Sequence, residues 1–266
     1  MPLKRIYNKH LKKPLKLYWW RYEYPSKLNF GDELTPYIIS RLFGFRTTWA
    51  PPDTCELAGA GSIIEILQQE SENNHIRIWG SGFIKDGPAN RSQNLDFYAV
   101  RGELSTTRTG KKSMPMGDPA LLMPLAYQPR SKKCHKLGIV PHYIDTDSPA
   151  VTQLTAKHDA FLINVLDPIE KVISNINSCE LIFSSSMHGI IISDAYDIPS
   201  YWTPFSNLLT GGNYKFRDYY SIYGREPEPL ITDHLLVADL DRLIDSFKPK
   251  ENVSSIQAEL VKCFPY

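Results

Sequence analysis

Residues 181–196 read LIFSSSMHGIIISDAY and gather more usable chemistry than any other stretch of the chain. An apolar strand runs into three serines, then His188 and Gly189, then a helical pattern with Ile191, Asp194 and Ala195 at threefold and fourfold spacing. His188 is thereby expected in the first turn of a helix, where unbonded N–H groups and the positive end of the dipole favour a phosphate or a carboxylate. Ser185 and Ser186 can donate to that anion or cap the helix, and Gly189 can let the backbone approach a ligand. On these residues alone, capping and anion binding are both open readings.

Three further stretches carry groups suited to the same work. In FYAVRGELS, Arg101 follows directly on a strand end, where a guanidinium can grip a carboxylate or phosphate in two-pronged fashion, or sit as a surface arginine. Gly211 and Gly212 precede Lys215 and Arg217. Those two cations share a face if the segment is extended and diverge if it is helical. Asn29 to Asp32 read NFGD ahead of an amphipathic pattern, so Asn29 and Asp32 can meet a ligand hydroxyl or cap the helix. Trp49, Trp79 and Phe83 offer faces on which a sugar stacks, although packing in the core is the commoner use of such residues.

The elements that must position these groups follow an alternating order. Strands are predicted at residues 15–20, 55–61, 76–82, 97–100, 137–140, 161–165, 181–184 and 200–202 from short apolar runs rich in branched and aromatic residues. Helices are predicted at 33–43 with Gly44 as the stop, at 103–109 closed by Gly110, from Ser148, from Asp167 and Pro168, at 189–196, at 239–247 and at 253–264. The strand ends at 59–61 and 80–82 are built of small residues, as where a backbone must come close to something. This order predicts an α/β chain of two Rossmann-like domains facing each other across a cleft, with ligands at the carboxyl ends of the strands. The polar, basic stretch 128–136 divides it into residues 1–128 and 129–266.

Composition excludes several classes. Thirty basic residues against twenty-nine acidic ones leave a net charge of +1, so there is no global field for nucleic acid and any anion must be held locally. Lys4, Arg5, Lys9, Lys12, Lys13 and Lys16 form a basic N-terminal segment that is either a solvated end or a peripheral contact with an anionic membrane face. Neither a membrane span nor a secretory signal is evident, which predicts a cytoplasmic protein, at most touching the inner face of the membrane. Cys55, Cys134, Cys179 and Cys263 lack paired spacing, and four reduced, mostly buried thiols are expected, with no metal site.

The motifs taken together resemble a family. N-x-G-D at 29–32, the small-residue strand ends at 59–61 and 80–82, V-R-G-x-x-S at 100–105, G-D-P-A at 117–120, S-S-x-H-G at 185–189 and K-F-x-D-Y-Y from Lys215 resemble, in order and spacing, the polysaccharide pyruvyl transferases. The resemblance implies a GT-B-like fold and an enzyme that uses phosphoenolpyruvate as co-substrate, without a cofactor, to build a pyruvate ketal on a hexose of a glycan, lipid-linked or free. It carries over Arg101, His188 and Lys215 as the active-site trio, the two cations on the donor and His188 as acid or base. Ser186 stands where some relatives have a basic residue, so Arg217 or Arg108 is expected to supply that charge. Ser185, Ser186, Gly189 and Arg217 are the expected donor contacts, and Asn29, Asp32, Trp79 and Phe83 the expected acceptor contacts. A glycosyltransferase acting on a nucleotide sugar and a carbohydrate-binding protein without turnover are the competing readings, because fold alone does not fix function.

Overall fold

The computed structural model describes residues 13–21, 28–71, 74–89 and 92–266. In the first half, β1 (Leu15–Tyr18) leads through the NFGD turn to α1 (Leu34–Ile38), which widens into a π-helical turn (Ile39–Phe43). Then come β2 (Thr47–Trp49), β3 (Leu57–Ala58), α2 (Ile64–Glu70), β4 (Ile76–Ser81), β5 (Leu95–Val100) and α3 (Glu103–Thr109). A 3-10 turn (Pro119–Leu122) and α4 (Met123–Ala126) close this half. Its five strands pair in the order β2-β1-β3-β4-β5, all parallel.

The second half runs β6 (His135–Val140), α5 (Pro149–His158), β7 (Phe161–Leu162), α6 (Ile169–Asn177), β8 (Cys179–Ser184), α7 (Met187–Ala195) and β9 (Ser200–Trp202). After it come α8 (Tyr214–Ser221), α9 (Thr232–Leu235), α10 (Leu240–Ser246) and α11 (Val253–Lys262). Four parallel strands pair in the order β7-β6-β8-β9. Two parallel sheets, with helices between most of their successive strands, make this an α/β chain.

Both sheets reverse their winding. In the first, the chain leaves β1 for β2 on one side and β3 on the other. In the second, it leaves β6 for β7 and β8 in the same way. Such a switch point opens a crevice beyond the carboxyl ends of the two central strands. The residues after β1 and β3, and those after β6 and β8, are therefore the four loops placed to hold a ligand.

Local chemistry explains most boundaries. Gly44 and Gly110 end their helices in the left-handed conformation, at φ 75° and 73°. Ser148 caps α5 by accepting from the Val151 N–H. The π-helical turn slips the helical phase, so Ile38 and Ile39 are both buried while Leu42 is half-buried. The strand expected over 161–165 stops at Leu162, because the Asn164 side chain folds back on the Leu166 N–H and the Val165 carbonyl turns to accept from Phe30 N at 2.9 Å. That last bond ties the NFGD turn of the first half to the second sheet.

A continuous core joins the halves, running from Leu17 and Trp79 through Leu121 and Ile191 to Leu260. Cys55 and Cys179 are buried as expected, whereas Cys263 is half-buried and Cys134 is exposed in the basic connector. No helix among the described residues is long and apolar enough to cross a membrane. Lys4, Arg5, Lys9 and Lys12 of the basic segment lie outside the described residues.

Candidate active site

A cavity of about 440 Å³ opens where the four switch-point loops converge. Trp20, Asn29 and Asp32 come from beyond β1, and Gly61, Ser62 and Ile63 from beyond β3. His142, Tyr143 and Ile144 come from beyond β6, and Ser186, Met187 and His188 from beyond β8. Glu65 of α2, Lys215 of α8 and Asp118 add charged groups to the lining.

His188 occupies the first turn of α7, as its sequence predicts. Ser186 is the N-cap and its hydroxyl accepts from Gly189 N at 3.4 Å. The imidazole is held between two pieces of the first half. On one side Gly31 is pressed against it so closely that a Cβ there would lie 2.2 Å from Nδ1. On the other, Nε2 faces Asp118 Oδ2 at 3.8 Å, and both atoms are buried without a hydrogen-bond partner among the described residues. Asp118 Oδ1 meanwhile caps the 3-10 turn through the Ala120 N–H at 2.9 Å. The G-D-P-A pattern alone gives Asp118 no role, and its approach to His188, seventy residues away, is a tertiary event that no local pattern announces.

Lys215 is 8% exposed, and among the described residues no carboxylate lies within ion-pair distance of its ammonium. Burial, with the Arg101 charge as second cause, lowers its pKa to about 8 against the pull of Asp32 and Asp145. It therefore remains mainly protonated at neutral pH, a buried cation with no counter-ion at ion-pair distance among the described residues. His142 faces the same charge, and burial followed by Lys215 lowers its pKa to about 4, so its ring is neutral.

Arg101 is brought to this centre but stops behind its wall. The guanidinium is fully buried: Nε donates to Asp218 at 3.0 Å, Nη1 to Ser62 at 2.5 Å and Nη2 to the Phe83 carbonyl at 2.6 Å. Gly82 leaves room for it, since a Cβ there would lie 2.4 Å from Cζ. Ser62 lines the cavity, so Arg101 acts on it through one hydroxyl and through its field on Lys215.

Asp218 is the second residue that sequence reasoning left without a role. Besides Arg101, it accepts from Ser105 N at 2.8 Å and from Ser105 Oγ at 2.6 Å, and its carbonyl packs against Gly102. V-R-G-x-x-S and K-F-x-D-Y-Y are thus two halves of one joint. Because α8 is helical, Lys215 and Asp218 at i, i+3 share the face turned inward.

Arg217 points the other way and pairs with Glu226 at 3.1 Å beside a second cavity, of about 580 Å³, that Arg108 also lines. Arg108 is itself bound to Glu65 and to the Lys85 and Pro88 carbonyls, so neither arginine reaches the His188 cavity. Ser185 is also turned away, donating to Asp145 at 2.6 Å and accepting from His142 N at 2.9 Å, which fixes the β6 loop. Gly189 approaches Ser184 and Val140 inside the sheet, not the cavity.

The acceptor aromatics are likewise redirected. Trp79 is 0% exposed and donates to the Leu260 carbonyl at 2.9 Å, while Phe83 is buried beneath the Arg108 guanidinium. The Trp49 indole donates to the Trp19 carbonyl at 3.1 Å. The cavity instead carries Trp20, 41% exposed, and Tyr143. Asn29 and Asp32 do line it. The Asn29 side chain accepts from Gly31 N at 3.0 Å, which shapes the turn that delivers Asp32.

The chain is similar to known proteins over most of its length. The chain is 30% identical over 220 residues to the succinoglycan biosynthesis protein ExoV of Rhizobium meliloti (strain 1021), a match covering 79% of this chain and 65% of that relative. It is 25% identical over 212 residues to the uncharacterized protein L143 of Acanthamoeba polyphaga mimivirus, covering 75% of this chain and 72% of that one. The chain thus spans slightly less than two thirds of the length of ExoV. The polysaccharide pyruvyl transferase profile matches residues 78–207, which include Arg101, Asp118 and His188 and leave Asp32 and Lys215 outside. Through residues 78–207 the chain is similar to the polysaccharide pyruvyl transferase family.

Proposed function

We propose that this chain transfers the pyruvyl group of phosphoenolpyruvate to a hexose of a polysaccharide or oligosaccharide, forming a cyclic ketal and releasing phosphate. The observation that carries the reading is Lys215: a buried ammonium without a carboxylate partner among the described residues, in the same cavity as the first turn of α7. A buried cation of that kind is costly unless a ligand brings its counter-charge. Phosphoenolpyruvate brings up to three negative charges in a small volume. Lys215 and the free N–H groups of the α7 start receive its carboxylate and phosphate, with the Arg101 field behind them. His188 supplies an imidazole able to carry a proton between donor and acceptor.

The reaction needs C3 of the donor to gain a proton, C2 to gain two bonds to sugar oxygens, and the C2–O bond to phosphate to break. Trp20 and Tyr143 offer faces for the sugar at the cavity wall. The donor acts as co-substrate and no cofactor is invoked. A GT-B-like arrangement of two Rossmann-like domains, divided near residues 128 and 129, is part of the same reading. So are a cytoplasmic location and a glycan acceptor presented at the inner membrane face.

The test is to incubate the protein with methyl hexosides and either phosphoenolpyruvate or UDP-glucose. Phosphate release with the first donor, and a product heavier by one pyruvyl group, are expected. Sugar transfer from the nucleotide donor without phosphate release overturns the reading. His188→Ala is expected to lower turnover by at least about a hundredfold. A protein that only binds carbohydrate would keep its sugar affinity in that variant and show no product in either.

A further inference from the structure

Resting on that reading, we infer that Asp32 is the acid that protonates the methylene carbon of the donor, leaving His188, backed by Asp118, to take the proton of the attacking hydroxyl. The cavity holds three carboxylates, Asp32, Glu65 and Asp118. Two accept hydrogen bonds from protein donors: Glu65 from Arg108 and Ile84 N, and Asp118 from Ala120 N. Asp145, behind Ser185, accepts from two serine hydroxyls. Among the described residues Asp32 alone of the cavity carboxylates accepts no hydrogen bond from the protein, so no protein donor favours its charged form.

Its position fits the task. Asp32 follows Gly31, which is pressed on the Nδ1 side of the His188 ring, so the two proton carriers are neighbours fixed by backbone packing. The charged groups facing Asp32 are His188 from α7, Lys215 from α8 and Glu33 beside it on its own turn, with Asp118 beyond the imidazole. Burial raises its pKa to about 7 even against the pull of His188 and Lys215, so the protonated form is well populated at neutral pH.

The atoms balance. The Asp32 O–H bond breaks as the C3–H bond forms. The first sugar oxygen bonds to C2 and gives its proton to His188. The C2–O bond to phosphate then breaks, with the His188 proton going to the leaving phosphate. The second sugar oxygen bonds to C2 and returns a proton to Asp32, so both carriers end as they began.

The experiment compares wild type with Asp32→Asn and Asp32→Glu, using phosphoenolpyruvate and methyl β-galactoside or methyl β-glucoside. In Asp32→Asn, kcat is expected to fall at least about a hundredfold with donor binding by calorimetry retained. Asp32→Glu is expected to keep partial turnover and to move the alkaline limb of the pH profile, which in wild type falls near the Asp32 pKa of about 7. Infrared difference spectra of wild type minus Asp32→Asn are expected to show a protonated carboxyl band at pH 6 that fades through pH 7. Absence of that band, or an Asp32→Asn protein altered only in acceptor KM, overturns the assignment while the pyruvyl transfer stands. Wild type that releases no phosphate from phosphoenolpyruvate on either acceptor defeats the functional reading and this one with it.

Discussion

An ionised Asp32 is an expense that the folded chain bears for its position, and the sign of the effect is definite. Its pKa is raised by burial from the ordinary carboxylate range to about 7. The stability contributed by the protonated group is therefore complete below about pH 4, the unfolded value, and is lost as pH rises through about 7. Three pKa units correspond to about 4 kcal/mol, which solvent in the half-open cavity reduces to about 2 kcal/mol. Asp32→Asn is thus expected to be more stable than wild type at pH 8, by roughly 5 °C in melting temperature, and equal to it at pH 3.5. Calorimetric melts at the two values check this without substrate, and an equal or lower melting temperature for the variant at pH 8 removes the premise that the site keeps this carboxyl neutral. Gain in stability with loss of turnover is the expected mark of a strained functional group.

At the scale of elements, the joint between α3 and α8 decides where Lys215 stands. Asp218→Ala leaves the Arg101 guanidinium buried with no counter-charge and the Ser105 donors unanswered, which is expected to cost about 3–5 kcal/mol in urea unfolding. Lys215, one turn away on α8, then loses its seat, and affinity for phosphoenolpyruvate is expected to fall as well. Retained affinity in a folded Asp218→Ala protein argues that α8 is positioned by other contacts. The same joint marks the boundary of what the sequence discloses. Gly44, Gly110 and Ser148 announced their helix ends because capping is local, and the first turn of α7 was legible for the same reason. Whether 214–221 was helical or extended was not legible, since the pair of cations suits either, and the helix separates Lys215 from Arg217. The contacts of Arg101 with Asp218, of Asp118 with His188 and of Phe30 with Val165 join residues 117, 70 and 135 positions apart. No periodicity foretells them. Aromatics misled for a related reason: Trp79 and Phe83 flank a strand end, but core demand outranked exposure there, and Trp20 took the cavity instead.

At the scale of the whole molecule, α11 returns from the far end of the chain to cover the first sheet. The Leu260 carbonyl accepts from the Trp79 indole, the Gln257 amide donates to the Leu121 carbonyl at 2.7 Å, and Phe264 stacks on Phe43 at 3.9 Å. Ile256 and Leu260 also press on Gly117, next to Asp118, where a Cβ would come within 2.6 Å of Ile256. The helix therefore seals the core and braces the loop that presents Asp118 to His188. Leu260 is fully buried at this seam, so Leu260→Ala removes its packing and leaves a cavity, an expected cost of about 2–5 kcal/mol. Because the core is continuous from Leu17 to Leu260, the loss is expected to appear as one shifted urea transition. Tryptophan fluorescence, which samples Trp79 in the first sheet and Trp202 in the second, should then coincide with circular dichroism. Two separated transitions, with only the first sheet melting early, show instead that the halves unfold independently. In that case α11 serves as a local lid on Trp79, and His188 is held against Asp118 by the switch-point loops alone.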